Sequence, residues 1–255
     1  MRDQLEEGIV EVAPEKPTGD CTFYMPHKPV ARESASTTKV RMVFDASAKP
    51  HLLANSVNEF MYKGPPLQPL LWDILIRARM STHIVLADIQ KAFLHIGVRE
   101  EDRDAFRILY NTNGKEQHLR FTRVPFGGES SPLLLGATLN YHYEQQGEEF
   151  KDTVQALREN TYVDNLMKAG DEEEELEKFK REATSILESA KSPVLKWESD
   201  IECLESEDSK TPSKILGTVW HKKDDMLEVL VPEPPDNQPL TKKGILNHLA
   251  VFTIH

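Results

Sequence analysis

Two aspartates stand where a carboxylate could hold a divalent cation. Asp88 closes the apolar run His83–Ala87, which predicts a short buried strand, and Asp164 lies in the polar turn of the segment Tyr162–Leu166. A carboxylate at the end of a strand is exposed on a rigid element, and hard divalent cations prefer such oxygen ligands. Two such aspartates on neighbouring strands, with their carboxylates within about 6 Å of each other, would suit two-metal phosphoryl transfer. A lone strand-end aspartate, by contrast, usually caps a turn or a helix.

The elements that would position these aspartates mix strands, hairpins and helices. The dipeptide Asn113-Gly114 between two apolar segments predicts a β-hairpin. Ser130, Ser131 and Pro132 predict a helix cap followed by proline at a first helical position. Because no regular βαβ repeat is present, the sequence predicts an α+β fold. The other predicted elements are strands at Val40–Phe44, Ile84–Ala87, Phe106–Tyr110, His118–Val124 and Thr161–Met167, and a helix at Leu133–Tyr143.

The acidic surplus of the chain is concentrated in one segment. Of 255 residues, 31 are basic and 42 acidic, a net charge of −11, and residues 171–208 alone hold 14 acidic and five basic residues. There the acids Asp171–Glu177 are expected on the outer face of an amphipathic helix. Residues 16–63 hold seven basic and four acidic residues. Since local charge governs nucleic-acid binding, the net charge does not exclude that class of partner. The apolar residues at helical spacing are Leu176, Phe179, Ala183, Ile186, Leu187 and Ala190.

Cysteine content and hydropathy argue against a disulfide-rich secreted protein and against a membrane-spanning one. Cys21 and Cys203 are too few for a disulfide framework or a cysteine-based zinc site, and they fit a reducing compartment. No apolar run approaches the roughly 20 residues of a membrane span. The acidic N-terminus lacks the basic and apolar regions of a signal peptide. We therefore expect an intracellular protein without a membrane partner.

A series of short motifs runs along the chain. Five of them are TTKVRMVFDAS at 37–47, LADIQKAF at 86–93, RVPFG at 123–127, SSP at 130–132 and YVDN at 162–165. Further motifs are YMPHKPV at 24–30, YKGP at 62–65, KW at 196–197, LG at 216–217 followed by Trp220, and LTKKGIL at 240–246. In this order they resemble the reverse transcriptase motifs. The chain resembles the polymerase domain of BEL/Pao-type long-terminal-repeat retrotransposons over nearly its whole length.

The resemblance implies a right-handed polymerase with fingers and palm, whose palm is a short antiparallel sheet backed by helices. It places the fingers at about 23–80 and the palm at about 81–231, with a fingers hairpin at 103–124 interleaved in the palm. Residues 1–22 would form an N-terminal flank, and residues 232–255 a linker and the truncated start of a connection region. The chain would then be a fragment of a longer polyprotein that acts in cytoplasmic retroelement particles.

The chemistry implied is attack by the primer 3′-hydroxyl on the α-phosphate of a deoxynucleoside triphosphate, with pyrophosphate leaving. Asp88 and Asp164 match the carboxylates that bind two Mg²⁺ or Mn²⁺ ions, and Ile89 matches a position whose backbone carbonyl completes one site. Lys196 matches a lysine that could protonate the pyrophosphate, and a helix-end lysine paired with an acid is the alternative interpretation. The implied partners are a DNA primer on an RNA or DNA template and the deoxynucleoside triphosphates.

Other motif residues are implied to bind the nucleotide or the primer–template. Arg41 matches the fingers arginine that contacts the triphosphate, and a solvated strand arginine is the alternative. Phe93 matches the steric gate that leaves no room for a ribose 2′-hydroxyl, and a core aromatic is the alternative. The remaining residues implied to contact the nucleotide are Lys39, Lys91, Ala92, Phe126 and Gly127. Lys91 and Ala92 would contact it through their backbone amides. Those implied at the primer or template are Gly64, Pro65, Ser131, Pro132, Tyr162, Leu216 and Gly217.

One departure from the family bears directly on activity. The usual catalytic turn reads Tyr-x-Asp-Asp, whereas here Asn165 keeps the shape of the second aspartate without its charge. Two aspartates would suffice if phosphates complete the metal shells. A polymerase domain is therefore the leading hypothesis, and the alternative is a catalytically inactive remnant that at most binds nucleic acid or a protein. The order of the motifs argues against a third hypothesis, an unrelated acidic interaction domain. Smaller departures are Gly127-Gly128-Glu129 before the Ser-Pro pair and Lys191-Ser192-Pro193 before the Lys-Trp pair.

Overall fold

The computed structural model describes residues 1–31, 40–112, 114–207, 213–215 and 218–228. Contacts divide the chain into two compact units: unit 1 comprises Met1–Leu67 and Lys91–Gln145, and unit 2 comprises Gln68–Gln90 and Gln146–His255. The α-helices are α1 (Arg2–Glu6), α2 (Val57–Phe60), α3 (Leu71–Arg79), α4 (Ser131–Glu144), α5 (Lys151–Asn160) and α6 (Glu173–Ser189). Within these ranges no helix is both long and apolar enough to cross a membrane.

The strands pair antiparallel within each unit. They are β1 (Val10–Val12), β2 (His27–Ala31), β3 (Val40–Phe44), β4 (His83–Ile89), β5 (Arg107–Thr112), β6 (Lys115–Phe121), β7 (Thr161–Tyr162), β8 (Asn165–Gly170), β9 (Val194–Ser199), β10 (Ser213–Ile215), β11 (Thr218–His221) and β12 (Met226–Glu228). Short 3-10 helices cover Ala92–His95, Glu100–Phe106, Glu148–Phe150 and Glu202–Leu204.

Unit 1 contains a three-stranded sheet of order β1-β6-β5 and the pair β2-β3. The predicted hairpin is confirmed: Thr112 lies opposite Lys115, and Gly114 in the two-residue turn has a φ of +77° that favours glycine. The predicted strand Val40–Phe44 is also confirmed. A cluster of apolar side chains that includes Ile108, Leu119 and Phe121 is buried beneath these strands.

A fully buried carboxylate ties the N-terminal segment to the hairpin of unit 1. Oδ1 of Asp104 accepts a hydrogen bond from Nε of Arg107 at 2.7 Å, and Oδ2 accepts bonds from the backbone N–H of Thr18 at 2.6 Å and from Nη1 of Arg120 at 3.3 Å. Burial by itself would raise the pKa of this carboxyl, but the bonds from Thr18 and Arg107 lower it to about 2. The network therefore requires the charged form of Asp104.

Unit 2 is built on a four-stranded sheet of order β7-β8-β4-β9, with a separate sheet β10-β11-β12. β4 is buried along most of its length because it is paired on both sides. The alternate residues Ile84 and Leu86 share one face with Met167, where they pack with Ile74 of α3 and Trp220 of β11. Helices α5 and α6 also contact this sheet. An antiparallel sheet with helices packed on it, as expected for the α+β fold, is thus confirmed.

The amphipathic helix predicted in the acidic segment is α6. Its apolar residues from Leu176 to Leu187 are buried, and the acids of Asp171–Glu177 are exposed. The predicted cap of α4 is wrong in one respect. Ser130 precedes the helix with helical torsions of −81° and −12°, and its side chain makes no capping bond, because a cap residue needs extended torsions to reach the first free N–H groups. Ser131 is the first helical residue.

Replacing Asp104 should destabilise unit 1. Asp104→Asn removes the charge that pairs with two buried guanidinium groups, so we expect a loss of about 3 to 5 kcal/mol in the free energy of unfolding at pH 7, measured in urea. The exposed neighbour Asp102 is a matched control, and Asp102→Asn should change the free energy by less than about 0.5 kcal/mol.

The pH dependence of stability separates the charge of Asp104 from its shape. Because the folded pKa of about 2 lies below the ordinary value of 3.8, this carboxylate contributes about 2 kcal/mol above pH 4, which is lost as pH falls through its folded pKa. The Asn variant should lack this part of the acid destabilisation. Equal pH profiles for the two proteins would contradict the assignment.

Candidate functional site

The predicted catalytic turn joins β7 to β8. Tyr162 pairs with Asn165, so Val163 and Asp164 form a two-residue turn between them. Val163 has a φ of +58°, a left-handed conformation that is costly for a β-branched residue. The predicted strand with a polar turn at its centre is confirmed, and Asp164 lies in that turn.

The end of β4 is hydrogen-bonded to this turn. Asp88 lies opposite Asn165 in the β4–β8 register, and the N–H of Ile89 donates to the Asp164 carbonyl at 2.8 Å. Asp88 is exposed, whereas the four residues before it are buried, because the apolar run ends there. The structure therefore brings together the backbones that carry Asp88, Ile89, Asp164 and Asn165. The separation of about 6 Å between the two carboxylates stays a prediction.

Asn165 acts on the Asp164 carboxylate as a hydrogen-bond donor. Its Nδ2 lies 3.0 Å from Oδ1 of Asp164. Burial raises the pKa of Asp164, and the hydrogen bonds from its own backbone N–H and from Asn165 offset this only in part. A second aspartate at 165 would instead have added a like charge beside Asp164. The amide therefore makes the turn less negative and favours the charged form of the single carboxylate left in it.

The donor set at this end of the sheet fits hard divalent cations. Carboxylates of Asp88 and Asp164, together with the Ile89 carbonyl, are oxygen ligands of the type that Mg²⁺ and Mn²⁺ accept. In the part of the chain that the structure covers, no three His, Cys, Asp or Glu side chains form a ligand cluster. Water or substrate phosphates would thus have to complete the shells, as is common for Mg²⁺.

A cleft of about 100 Å³ lies beside Asp88 in unit 2. Lys196 and Glu198 of β9 contribute to its wall, as does Asn165. The pairing of β4 with β9 is shifted between Leu86 and Asp88, so Ala87 faces two residues of β9, a β-bulge. Lys196 lies in this bulge of β9 with a φ of +52°, so the alternative interpretation as a helix-end lysine is wrong. The bulge is what places an exposed lysine side chain in the cleft that Asp88 also lines.

A second lysine with left-handed torsions, Lys191, ends α6. Its N–H donates to the Glu188 carbonyl at 2.8 Å, and the N–H of Ser192 donates to the Leu187 carbonyl at 2.9 Å, which together form a Schellman motif. The φ of Lys191 is +54°, where glycine is favoured. The first residue of the departure Lys191-Ser192-Pro193 therefore adopts a geometry that suits glycine.

Unit 1 holds the residues predicted at the nucleotide, with Lys39 lying outside the described residues. Arg41 is exposed on β3 opposite Val30. Phe93 is buried and its ring meets that of Phe126 edge to face, with centroids 5.0 Å apart. The Gly127 carbonyl accepts a hydrogen bond from Nδ2 of Asn58 at 3.0 Å. Lys91 and Ala92 follow β4 after the single residue Gln90, and Lys91 is exposed whereas Ala92 is buried.

The residues predicted at the primer or template occupy several places. Gly64 has a φ of +72°, and a side chain there would collide with Leu133. Ser131 is buried and its Oγ donates to the Pro125 carbonyl at 3.0 Å, which fixes the start of α4. Pro65 is exposed, Pro132 is the second residue of α4, and Tyr162 pairs with Asn165 in unit 2. Leu216 and Gly217 lie outside the described residues.

Two acids near these residues have no counterpart in the sequence prediction. Glu198 lines the cleft with Asp88, and Glu7 contacts Lys91 through both carboxylate oxygens. Alternation along β9 does not reveal Glu198, because the bulge at Lys196 shifts the alternation. Glu7 carries no local signal, because it meets Lys91 across 84 residues of sequence.

Comparisons with known proteins identify the family and the fold. The profile of the family described as "Reverse transcriptase (RNA-dependent DNA polymerase)" matches residues 27–202. Among solved structures, the chain resembles the protease–reverse transcriptase of prototype foamy virus, with 19% sequence identity and a TM-score of 0.54. That match covers 77% of this chain and 23% of the viral chain, so the chain spans about a quarter of the viral protein's length. No curated protein sequence matches. At this identity the likeness shows the fold.

The two left-handed lysines give a stability prediction. Lys196→Gly and Lys191→Gly should each raise the free energy of unfolding by about 0.5 to 1 kcal/mol, because glycine adopts a positive φ without strain. Lys178, which is exposed in the middle of α6, is the matched control. Lys178→Gly should lower the free energy by about 1 kcal/mol. Urea titration of the three variants checks the sign, and destabilisation by all three would contradict the assigned torsions.

Proposed function

The chain belongs to the reverse transcriptase (RNA-dependent DNA polymerase) family, and we propose that it is the polymerase domain of a BEL/Pao-type long-terminal-repeat retrotransposon. It would extend a DNA primer on an RNA or DNA template, using deoxynucleoside triphosphates. The observation that supports this most directly is the pairing of β4 with β8, which sets Asp88 opposite Asn165 and next to the turn that carries Asp164. Two motif acids thereby lie at the same end of one rigid sheet.

The proposed catalysis rests mainly on positioning. Asp88 and Asp164 would hold two Mg²⁺ or Mn²⁺ ions, with the Ile89 carbonyl as a further ligand. When bound, such ions activate the attacking oxygen and stabilise the leaving one. The sheet would fix the carboxylates so that the primer 3′-hydroxyl approaches the α-phosphate in line. Lys196, which lines the cleft with Asp88, would donate a proton to the pyrophosphate.

The remaining motif residues would select and hold the substrates. Arg41 and Lys39 would contact the triphosphate, as would the backbone amides of Lys91 and Ala92. Phe93 would exclude the ribose 2′-hydroxyl, and its edge-to-face contact with Phe126 supports a fixed ring. Residues proposed to contact the nascent pair, primer or template are Phe126, Gly127, Gly64, Pro65, Ser131, Pro132, Tyr162, Leu216 and Gly217. In this proposal the fingers comprise about 23–80 and the hairpin 103–124, the palm is the rest of 81–231, and the protein works in cytoplasmic particles.

A specific observation favours a second candidate, a catalytically inactive remnant that only binds nucleic acid or a protein. Asn165 places an amide where the family usually has a carboxylate, and that amide contacts the remaining acid of the turn. One negative charge beside the metal ions is thereby lost. In the first candidate Asp88 and Asp164 suffice, whereas in the second they do not.

Primer extension on a homopolymer RNA template with Mg²⁺ or Mn²⁺ tests the two candidates. We expect incorporation by the natural sequence and a loss of at least about a hundredfold in Asp164→Asn and in Asp88→Asn, because each removes a charge that holds a metal ion. Asn165→Asp should raise incorporation by about tenfold, since it restores a charge close to the ions.

The outcomes separate the candidates once circular dichroism shows that every variant is folded. Activity in Asn165→Asp alone would identify Asn165 as the lesion and support the inactive remnant for the natural sequence. A natural protein that incorporates nucleotide as well as its Asp88 and Asp164 variants do would reject the catalytic assignment of both acids.

Sugar discrimination tests the role of Phe93. Phe93→Val opens space beside the sugar, so ribonucleotide incorporation relative to deoxynucleotide should rise by about ten- to a hundredfold. Phe126→Val is the matched control, because it removes the same ring contact from the other side. Steady-state incorporation of the two nucleotide classes gives the ratio, and a core role for Phe93 predicts no change in it.

A further inference from the structure

An acid of the N-terminal segment pairs with a motif lysine in unit 1. Nζ of Lys91 lies 2.7 Å from Oε2 and 3.0 Å from Oε1 of Glu7. The side chains are 44% and 47% exposed, so solvent and small anions reach both. Glu7 precedes the region matched by the family profile, whereas Lys91 lies inside it.

The backbone around Glu7 holds its carboxylate in place. Glu7 is the residue that caps the C-terminus of α1, and its N–H donates to the Asp3 carbonyl at 2.8 Å. Gly8 then turns the chain with a φ of +67° into β1, which pairs with β6. The N–H of Thr122 donates to the Ile9 carbonyl at 3.0 Å. The segment that presents Glu7 is therefore fixed to the sheet of unit 1.

The backbone of Lys91 is also held in place by the residues that follow it. It adopts left-handed torsions of 50° and 35°, which a residue other than glycine rarely holds without support. The two residues that follow, Ala92 and Phe93, are buried, and the Lys91 carbonyl accepts the N–H of Leu94 at 2.7 Å. Only the outer part of the lysine side chain is thus free to change partner.

The pair is easily broken by an anion of higher charge. An exposed ion pair is worth little in water, and its strength falls with salt. A triphosphate carries several negative charges and three groups of acceptor oxygens, so it outcompetes one carboxylate for an ammonium group. The backbone amides of Lys91 and Ala92 are already proposed to lie at the triphosphate, which brings the side chain of Lys91 within its reach.

We propose that the Lys91 ammonium binds the phosphates of the incoming nucleoside triphosphate and that Glu7 competes for it, so that the N-terminal segment weakens nucleotide binding. This inference rests on the proposed polymerase function. It assigns a substrate-binding role to the Lys91 side chain in addition to its backbone amide. It also assigns an inhibitory role to an acid outside the matched region.

Carbodiimide coupling reports the Glu7–Lys91 contact directly. The reagent joins a carboxylate to a contacting amine as an amide and itself takes up the water released. Mass spectrometry of the digested full chain should show the Glu7–Lys91 product, and its yield should fall at least about threefold when a deoxynucleoside triphosphate is added with Mg²⁺. The corresponding nucleoside without phosphates is the control and should leave the yield unchanged.

Binding measurements test the competition itself. Glu7→Gln should tighten the dissociation constant of the triphosphate by about two- to fivefold, and Lys91→Met should weaken it by a similar factor. In the Lys91→Met background, Glu7→Gln should have no further effect, since the two act through one contact. Glu6→Gln removes an exposed charge from the neighbouring residue and is the matched control, with a change below about 1.5-fold.

The results distinguish this inference from the proposed function. Equilibrium dialysis measures triphosphate binding without requiring catalysis. If the triphosphate binds but the crosslink yield and the Glu7→Gln constant are unchanged, the competition is overturned and the polymerase proposal is untouched. If the crosslink forms and no triphosphate binds, the proposed function fails, and the inference fails with it.

Discussion

The pairing of β4 with a strand on each side is the constraint on which the candidate site of unit 2 depends. Because β8 and β9 take up its hydrogen bonds, the residues from Ile84 to Ala87 are buried and the strand reaches solvent at Asp88. The same ladders fix the Asp164 turn through the N–H of Ile89 and place Lys196 through the bulge. A one-residue slip would turn Asp88 to the opposite face of the sheet. Burial of apolar side chains, which favours one register, therefore determines where the charged groups lie.

Periodic patterns in the sequence predicted the regular helices and strands. β4 follows from a short apolar run that ends in aspartate, α6 from a 3.6-residue period, and the β5–β6 hairpin from a turn with glycine at 114. The bulge at Lys196 could not be predicted, because one extra residue shifts the alternation and lysine carries no signal for a positive φ. Motifs predicted the acids of the candidate site, but the contribution of Glu198 to the cleft required the strand register.

Unit 1 includes residues that lie before the region matched by the family profile. Residues before 27 supply β1, and they also supply Glu11, which accepts hydrogen bonds from Arg103 and Arg120. The Arg120 side chain is only 5% exposed, and Glu11 at 2.7 Å is the nearest of the acids that neutralise its buried charge. Unit 1 therefore needs its N-terminal segment for stability. Because these contacts join distant parts of the chain, no local pattern in the sequence reveals them.

Backbone strain is concentrated in the motifs of the candidate site. Five residues other than glycine have a positive φ in the described ranges, and three of them, Lys91, Val163 and Lys196, lie in the motifs that carry the proposed chemistry. Each such conformation costs on the order of 1 kcal/mol, and strain of this kind concentrates where function requires a particular geometry. A sequence free of functional constraint would gain stability by placing glycine or asparagine there. The position of this strain in three motifs is therefore what the proposed polymerase site predicts, and Asn165 differs from the family pattern there by the loss of one charge.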